Sequence, residues 1–589
     1  MGNTTTIPTP ATADVVTLTI LIDGKQIPGT YNVLSVMVMK ELNRVPLAKL
    51  ILLDGEAAKQ TFAISNKADF MPGKKIEIKA GYKAKEDTVF KGIVINHSLK
   101  IRAAGSYLTV ECRDEAVKMT LDRKSKYYRE QKDSDVIEEI LGRHSLKKDV
   151  EATTVEHKEL VQFDTTDWDF VITRTEANGK FCVVDAGKLT IAKPDFSQTP
   201  VLTVGYGDTI LEFDVEMDAR HQFKAVKSMA WNPTDQAMVE ASASEPSVSQ
   251  HGNFSTDDIA KAVQVEEYTL RHGGKVPEPE LQSWADAQLL RQRLAKSVGR
   301  VRFQGFAGIE PAMLLELAGV GERFEGKVFV SAVRHEIARG NWVTDAQFGL
   351  RPDWFAQLHD LRPPAAAGLL PPVGGLQIGI VTQLENDPDG EDRIMVRLPV
   401  ISPSDEGTWA RIATLDAGDK RGTFFRPEVG DEVVMGFLNS DPRHPVVLGM
   451  CHSSAKPAPH QPTDDNHEKG YVSRSEMKLW FDDDKKILTI STPAGNKLEM
   501  SEEDKSITIE DQNGNKIVLD KDGILIESAK DLILKASKDI KAEGTNIESK
   551  ASGNFKAEGS SGATIKTSAT ATLEGGTSAV VKGGMVQIN

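Results

Sequence analysis

Apolar and polar residues alternate with a period of two through most of the chain, the pattern of half-buried strands. Between residues 15 and 120 it runs through "VVTLTILIDG", "AKLILLDG", "KKIEIKAGY", "TVFKGIVINHSLKI" and "SYLTVECRD", punctuated by Gly, Asp and Asn. The period becomes helical at "SDVIEEILGRH", where Ser134 is the expected N-cap, and at "SWADAQLLRQRLAKSV" (283–298). "GKFCVVDAGKLTIAKP" (179–194) predicts a hairpin, and "EGKVFVSAVRHEIARGNWVTDAQFGL" predicts further strands beyond the polar stretch "EASASEPSVSQHGNFSTDD". Two proline-rich stretches, "RPPAAAGLLPPVGG" and "HSSAKPAPHQPTDDNHEKG", read as linkers around a compact block at 376–452. Within that block "IGIVTQL" and "RIMVRLPV" flank the turn-forming "NDPDGED", and "DEVVMGFL" and "PVVLGM" flank "NSDPRHP". Short strands at this spacing suit a small OB-like barrel.

The tail carries apolar pairs at i and i+2: Leu488/Ile490, Leu498/Met500, Ile507/Ile509, Ile517/Leu519, Ile524/Ile526 and Leu532/Leu534. Further on, the spacing tightens to eight residues, through Ile524, Leu532 and Ile540, then Ile547 and Phe555, then Ile565, Leu573 and Val581. Each octad is a short strand and a tight turn with one or two side chains facing inward, too short a coil for one chain to enclose its own core. The exposed edges would invite aggregation unless other copies covered them. Three chains wound together meet both demands. The tail is therefore expected to be an intertwined trimeric β-helix, or β-prism, with Ile524, Leu532, Ile540, Ile547, Phe555, Ile565 and Leu573 in its core.

The fold class expected is mainly β, with small helices, an OB-like barrel and the C-terminal trimeric β-helix; that the two strand-rich blocks are two hub barrel domains and the OB-fold block a collar is what the family resemblance quoted below implies. The expected division is an N-terminal tail (1–14), a first hub barrel (15–125), a helix and hairpin connector (126–198) and a second hub barrel (199–361). A linker (362–375), the OB-fold domain (376–452), a second linker (453–470) and the needle (471–589) follow.

Composition narrows the function. A net charge of −15 disfavours nucleic acid and anionic membranes as general partners. Cys112, Cys182 and Cys451 are far apart and odd in number, which fits folding in a reducing compartment and no disulfide framework. The start "MGNTTTIPTP" has no basic and apolar leader, so synthesis in a bacterial cytoplasm without a signal peptide is expected. Chemistry-bearing motifs are incomplete. "GERFEGKV" (321–328) imitates a phosphate-binding loop with Gly326 and Lys327, but Val328 replaces the Mg²⁺-binding hydroxyl and a strand follows. "DQNGNKIVLD" starts like a calcium loop, yet Lys516 stands where the turn demands Gly. His335-Glu336 lacks a second histidine four residues on, and His444 is assigned to the OB hairpin loop rather than to a metal with Cys451 and His452. No catalytic, cofactor or metal residues are assigned.

The block "LQIGIVTQLENDPDGEDRIMVRLPV", "TWARIA" with Trp409 and Arg411, Ala417-Gly418, and "PEVGDEVVMGFLNSDPRHPVVLG" resembles the OB-fold domain of VgrG spike proteins of contractile injection systems. "QFDTTDWDFVITRTEANGKF" resembles the family's link between adapter barrels, and "MKLWFDDDKKILTISTPAGNKLEM" the start of its β-prism. The resemblance extends over nearly the whole chain, more weakly in the first 120 residues. It implies a non-enzymatic homotrimeric spike, seated on inner tube and baseplate proteins, carrying a PAAR-repeat tip protein and effector cargo, and meeting the target membrane only transiently. The final strand, with Val581, Gly583, Gly584, Met585, Val586, Ile588 and Asn589, is the expected docking platform for the tip. A type VI secretion system, an extracellular phage-tail-like particle and a contractile phage all remain open, with the N-terminal block leaning to the particle. The alternative function is a spike with a cryptic glycan- or peptidoglycan-degrading activity. That reading needs an insert the size of a domain, and neither the 20 or so residues between Met450 and Tyr471 nor a stretch after Asn589 supplies one.

Overall fold

The structure is a computed structural model that describes residues 15–248, 251–359 and 361–588. Its contacts divide the chain into two compact units, Met1–Gly449 and Met450–Asn589.

The first unit is built on a 13-stranded sheet. From one edge its main path runs through Ile210–Met217, Ser297–Gln304, Asn341–Phe348, Gly326–Ala338, Asn32–Glu41, Leu47–Leu53, Gly105–Arg113, Lys85–Arg102, Lys75–Tyr82, Val16–Ile22 and Lys25–Gln26. The two strand-rich blocks of the sequence therefore share one hydrogen-bonded sheet. The joint is an antiparallel ladder in which Ala332 pairs with Glu41 and Ala338 with Ser35. Alternation places Val36 and Val38 inward with Leu50, Leu52, Ile78, Phe70 and Phe90, and Ile337 and Trp342 join the same core from across the joint. A second core forms around Phe303, Val330, Val333 and Phe348.

Among the described residues of this unit, four α-helices run eight residues or longer: α1 (Asp133–Arg143), α2 (Asp167–Ala177), α3 (Thr256–Val263) and α4 (Glu278–Leu294). Helix α1 starts one residue before the expected cap. Lys132 is the N-cap, Asp135 accepts from its backbone N–H, and Ser134 lies inside the first turn. The reason is the tertiary grip on Asp133, which draws that residue into the helix. Helix α4 begins five residues earlier than its apolar pattern, after Pro277, and ends at Leu294 rather than 298. Helix α2 carries no strong apolar period, and α3 sets Ile259, Ala260 and Val263 at helical spacing within only eight residues. The starts of both are fixed by caps: Thr166 accepts from the Asp169 N–H, and Ser255 and Asp258 form a capping box. The expected hairpin forms, with Phe181–Asp185 antiparallel to Lys188–Ala192.

Residues 377–450 close into a five-stranded barrel: Gln377–Gln383, Ile394–Arg397, Thr408–Ile412, Pro445–Met450 and Glu432–Phe437. Val381, Ile394, Val396, Ala410, Val433, Met435 and Val447 fill it. Its first turn is tied by Asp387, whose carboxylate accepts from the backbone N–H groups of Asp389, Glu391 and Arg393 and from the Arg393 guanidinium.

In the second unit, seven strands form a simple antiparallel meander: Glu468–Val472, Lys478–Asp482, Ile487–Ser491, Lys497–Ser501, Ser506–Glu510, Lys516–Asp520 and Gly523–Glu527. The calcium-loop imitation is one of its turns. Asp511 accepts from the backbone N–H groups of Asn513 and Asn515 while Gly514 takes the left-handed conformation at φ 87°. Among the described residues after Glu527 no strand pairing forms within the chain.

Candidate assembly surface

The register of the meander turns the apolar pairs of the tail into two continuous columns. One column is Leu479, Ile490, Leu498, Ile509, Ile517 and Ile526, each directly opposite the next. The other is Phe481, Leu488, Met500, Ile507, Leu519 and Ile524. Members of a pair are two residues apart, so both columns lie on one face of the sheet. The opposite face carries Trp480, Thr489, Glu499, Thr508, Val518 and Leu525 in its central row. Ion pairs and hydrogen bonds such as Thr489 to Glu499 and Lys497 to Glu499 dress that face for water.

Among the described residues nothing covers the apolar face. Phe481, Ile490, Met500, Ile507, Ile509 and Leu519 are exposed, and grooves lined by the two columns run along the sheet. A dozen aligned apolar side chains form a stripe far larger than the scattered ones normal for a surface, which marks an interaction site. Beyond the meander the expected needle core behaves the same way. Ile524, Leu532, Ile540, Ile547, Phe555, Ile565 and Leu573 are between 56% and 95% exposed. At the end of the chain Val581, Met585, Val586 and Ile588 are exposed too, while Asn589 lies outside the described residues. Gly583 has the Met585 carbonyl 3.0 Å from where a Cβ would stand, and Gly584 has open space.

The positions with chemical potential have structural partners instead. His335 is buried with Nδ1 3.0 Å from the Thr344 hydroxyl, and strand alternation turns Glu336 to the other face. Burial holds the His335 imidazole well below its usual range, to about 3. "GERFEGKV" is a strand junction, with Gly326–Ala338 antiparallel to Leu314–Ala318. The backbone of His444 closes the OB loop by hydrogen bonds with Asp441 and Leu438, and no group of three metal-ligating side chains gathers among the described residues.

Two buried polar clusters escaped sequence reasoning, because their members come from distant elements. Asp133 accepts from Arg174 at 2.6 and 2.9 Å and from Asn178, and its Oδ2 lies 2.9 Å from His157 Nε2. Arg174 continues to Glu280 on α4 at 3.0 Å. Beside this His–Asp pair the Ser134 hydroxyl is engaged with Asp135 and Thr153. The cluster clamps α1, α2 and α4 together. The second cluster crosses the sheet joint, where Lys40 donates to Asp185 at 2.8 Å and Glu310 at 2.6 Å.

Two family models match the chain: the Alg8 N-terminal domain over residues 12–339, and the type VI secretion system/phage-baseplate injector OB domain over 377–452. The chain is 33% identical over 117 residues to the type VI secretion system spike protein VgrG3 of Vibrio cholerae, covering 18% of this chain and 11% of that protein. It is 25% identical over 235 residues to VgrG1b of Pseudomonas aeruginosa, covering 37% and 31%. The matched regions thus span less than a third of these two relatives' length. A solved tail protein from Neisseria meningitidis aligns with 58% of this chain and 98% of its own, at 13% identity and a TM-score of 0.43. The first family model covers more than half of the chain, and the second coincides with its closed five-stranded barrel. The chain belongs to the Alg8 N-terminal domain family and, over the matched regions, is similar to VgrG spike proteins of type VI secretion systems.

Proposed function

We propose that three copies of this chain join through the apolar face of the meander and continue as an intertwined β-prism, forming a needle driven through a target membrane when a surrounding sheath contracts. The observation that carries this reading is the pair of aligned apolar columns on one sheet face, continued by octad residues that are exposed among the described residues. Face-to-face closure of three such sheets buries the columns and leaves the Thr489, Glu499 and Thr508 row to water. The tail then needs no wide core of its own. No helix among the described residues is long and apolar enough to cross a membrane.

The partners in this reading are inner tube and baseplate proteins at one end and a PAAR-repeat protein at the other. Val581, Met585, Val586 and Ile588 leave an apolar end for that tip, and Gly583 and Gly584 let three backbones approach the axis. The chain carries no reaction of its own in this reading. The test is co-purification of a PAAR-repeat protein with the full chain and with a chain lacking residues 581–589. The full chain should capture one tip protein per three copies, and the truncated chain should remain trimeric and lose capture. Undiminished capture by the truncated trimer would place the docking site elsewhere.

A further inference from the structure

The first unit holds a small cavity, partly open to solvent, beside the C-terminal end of α4, between the 251–256 loop and the strands Gly326–Ala338 and Asn341–Phe348. We infer that this cavity is a binding site for a small oxyanion, a carboxylate or phosphate group, held by Lys296, Ser297 and His251.

The walls are built rather than incidental. Lys296 Nζ donates to the carbonyl oxygens of His251 and Phe254, both at 2.9 Å. The Gly252 N–H donates to the Glu325 carbonyl at 2.8 Å. Gly252 has φ +74°, and a Cβ there would stand 2.0 Å from the Arg323 carbonyl oxygen, so the loop approaches this closely only as glycine. The Arg323 guanidinium lies over the Phe254 ring, 4.1 Å from its centroid. The loop is thus pinned to α4 on one side and to the 321–325 turn on the other.

The charge of the lining is unbalanced. Arg293 is neutralised by Glu245 at 2.6 and 2.8 Å. Lys296 is 3% exposed, and no carboxylate among the described residues lies within 4.0 Å of its ammonium. Its two carbonyl contacts use two of three protons and none of its charge. Lys327, from the segment that imitates a phosphate-binding loop, also lines the cavity. Two further polar atoms there have no hydrogen-bond partner among the described residues: the Ser297 hydroxyl, on a residue 1% exposed, and Nε2 of His251. A buried cation without a counter-charge and two unpaired polar atoms are costly together, and one anion answers all three.

Size restricts the ligand. The cavity is about 50 Å³, room inside for a compact group. A hydroxyl and an ammonium donating to one acceptor group select an oxyanion, with His251 adding a donor in the Nε2–H tautomer.

The experiment is equilibrium dialysis of the purified full-length protein against radiolabelled inorganic phosphate and, separately, acetate, at ionic strength held constant with sodium chloride. The site predicts saturable uptake of one anion per chain for at least one of the two, and which one is retained distinguishes the sources. Ser297→Ala, which removes only an unpaired hydroxyl, should weaken uptake about tenfold, and Lys296→Met should abolish it. Lys505→Ala, in the meander of the second unit and outside the cavity lining, should leave it unchanged. If Lys296→Met fails to fold, Ser297→Ala decides alone. Absence of saturable uptake of both anions, or equal uptake by wild type and Ser297→Ala, overturns the assignment.

Discussion

Asp133 sits where three helices meet, and its protonation state follows from its neighbours. Burial alone would raise its carboxyl, but hydrogen bonds from His157, Arg174 and Asn178 overcome that and hold it far below the usual value of 3.8. A carboxyl depressed in the folded state stabilises fully above the unfolded value, and loses that contribution as pH falls towards the folded one. The first unit should therefore lose stability below about pH 4, and Asp133→Asn should flatten that part of the profile while costing about 3 kcal/mol at pH 7. Urea denaturation from pH 2.5 to 7 checks both; an unchanged acid limb would remove the clamp from the explanation. Lys40 works in the same way at the sheet joint. Burial alone would lower its ammonium, and Glu310 and Asp185 reverse this and raise it. Lys40→Met leaves Glu310 buried without its cation, so a loss of about 3 kcal/mol in denaturant unfolding is expected. None of these partnerships is legible in the sequence, since 41 residues separate Asp133 from Arg174 and 270 separate Lys40 from Glu310.

Elements tell a different story. The strands of the meander were legible because both their period and their turns are local: an i/i+2 pair fixes a face, and "TPAGN" or "DQNGN" fixes the reversal. What pairing adds is alignment. Each turn has the length that brings one pair opposite the next, so isolated doublets become two columns. A charge placed in a column should therefore damage association rather than the meander's own ladder. Ile509→Asp is expected to shift the protein from trimer towards monomer while far-ultraviolet circular dichroism retains its strand signal, and Thr508→Asp on the other face is expected to leave the trimer intact. Equal behaviour of the two variants in sedimentation velocity would refute the inward orientation of the apolar face. Helices were less legible. Helix α2 starts from a polar cap within a segment whose apolar spacing is weak, α3 is amphipathic over only eight residues, and the α1 boundary moved because Asp133 is claimed by Arg174.

At the scale of the whole molecule, stability and association are one equilibrium if the tail folds only as a trimer. Light scattering should give three times the 64.3 kDa chain mass, and the apparent unfolding temperature of the tail should rise with protein concentration. A folded monomer whose tail melts independently of concentration would contradict the needle reading. The two strand-rich blocks of the first unit illustrate the opposite limit. They are joined by a ladder between Asn32–Glu41 and Gly326–Ala338, so cooperative unfolding of both is expected.

The sequence by itself determined the mainly β character, the barrel at 377–450 and the one-sided apolar face of the tail. These depend on alternation and turn chemistry within a few residues of each other. Only the tertiary structure decided that the two hub blocks share a sheet, that Asp133 and Lys40 are clamps, and that Lys296 and Ser297 line a cavity. Strand partners and buried ion pairs are chosen by which distant segments pack together, and residue spacing along the chain carries no trace of that choice.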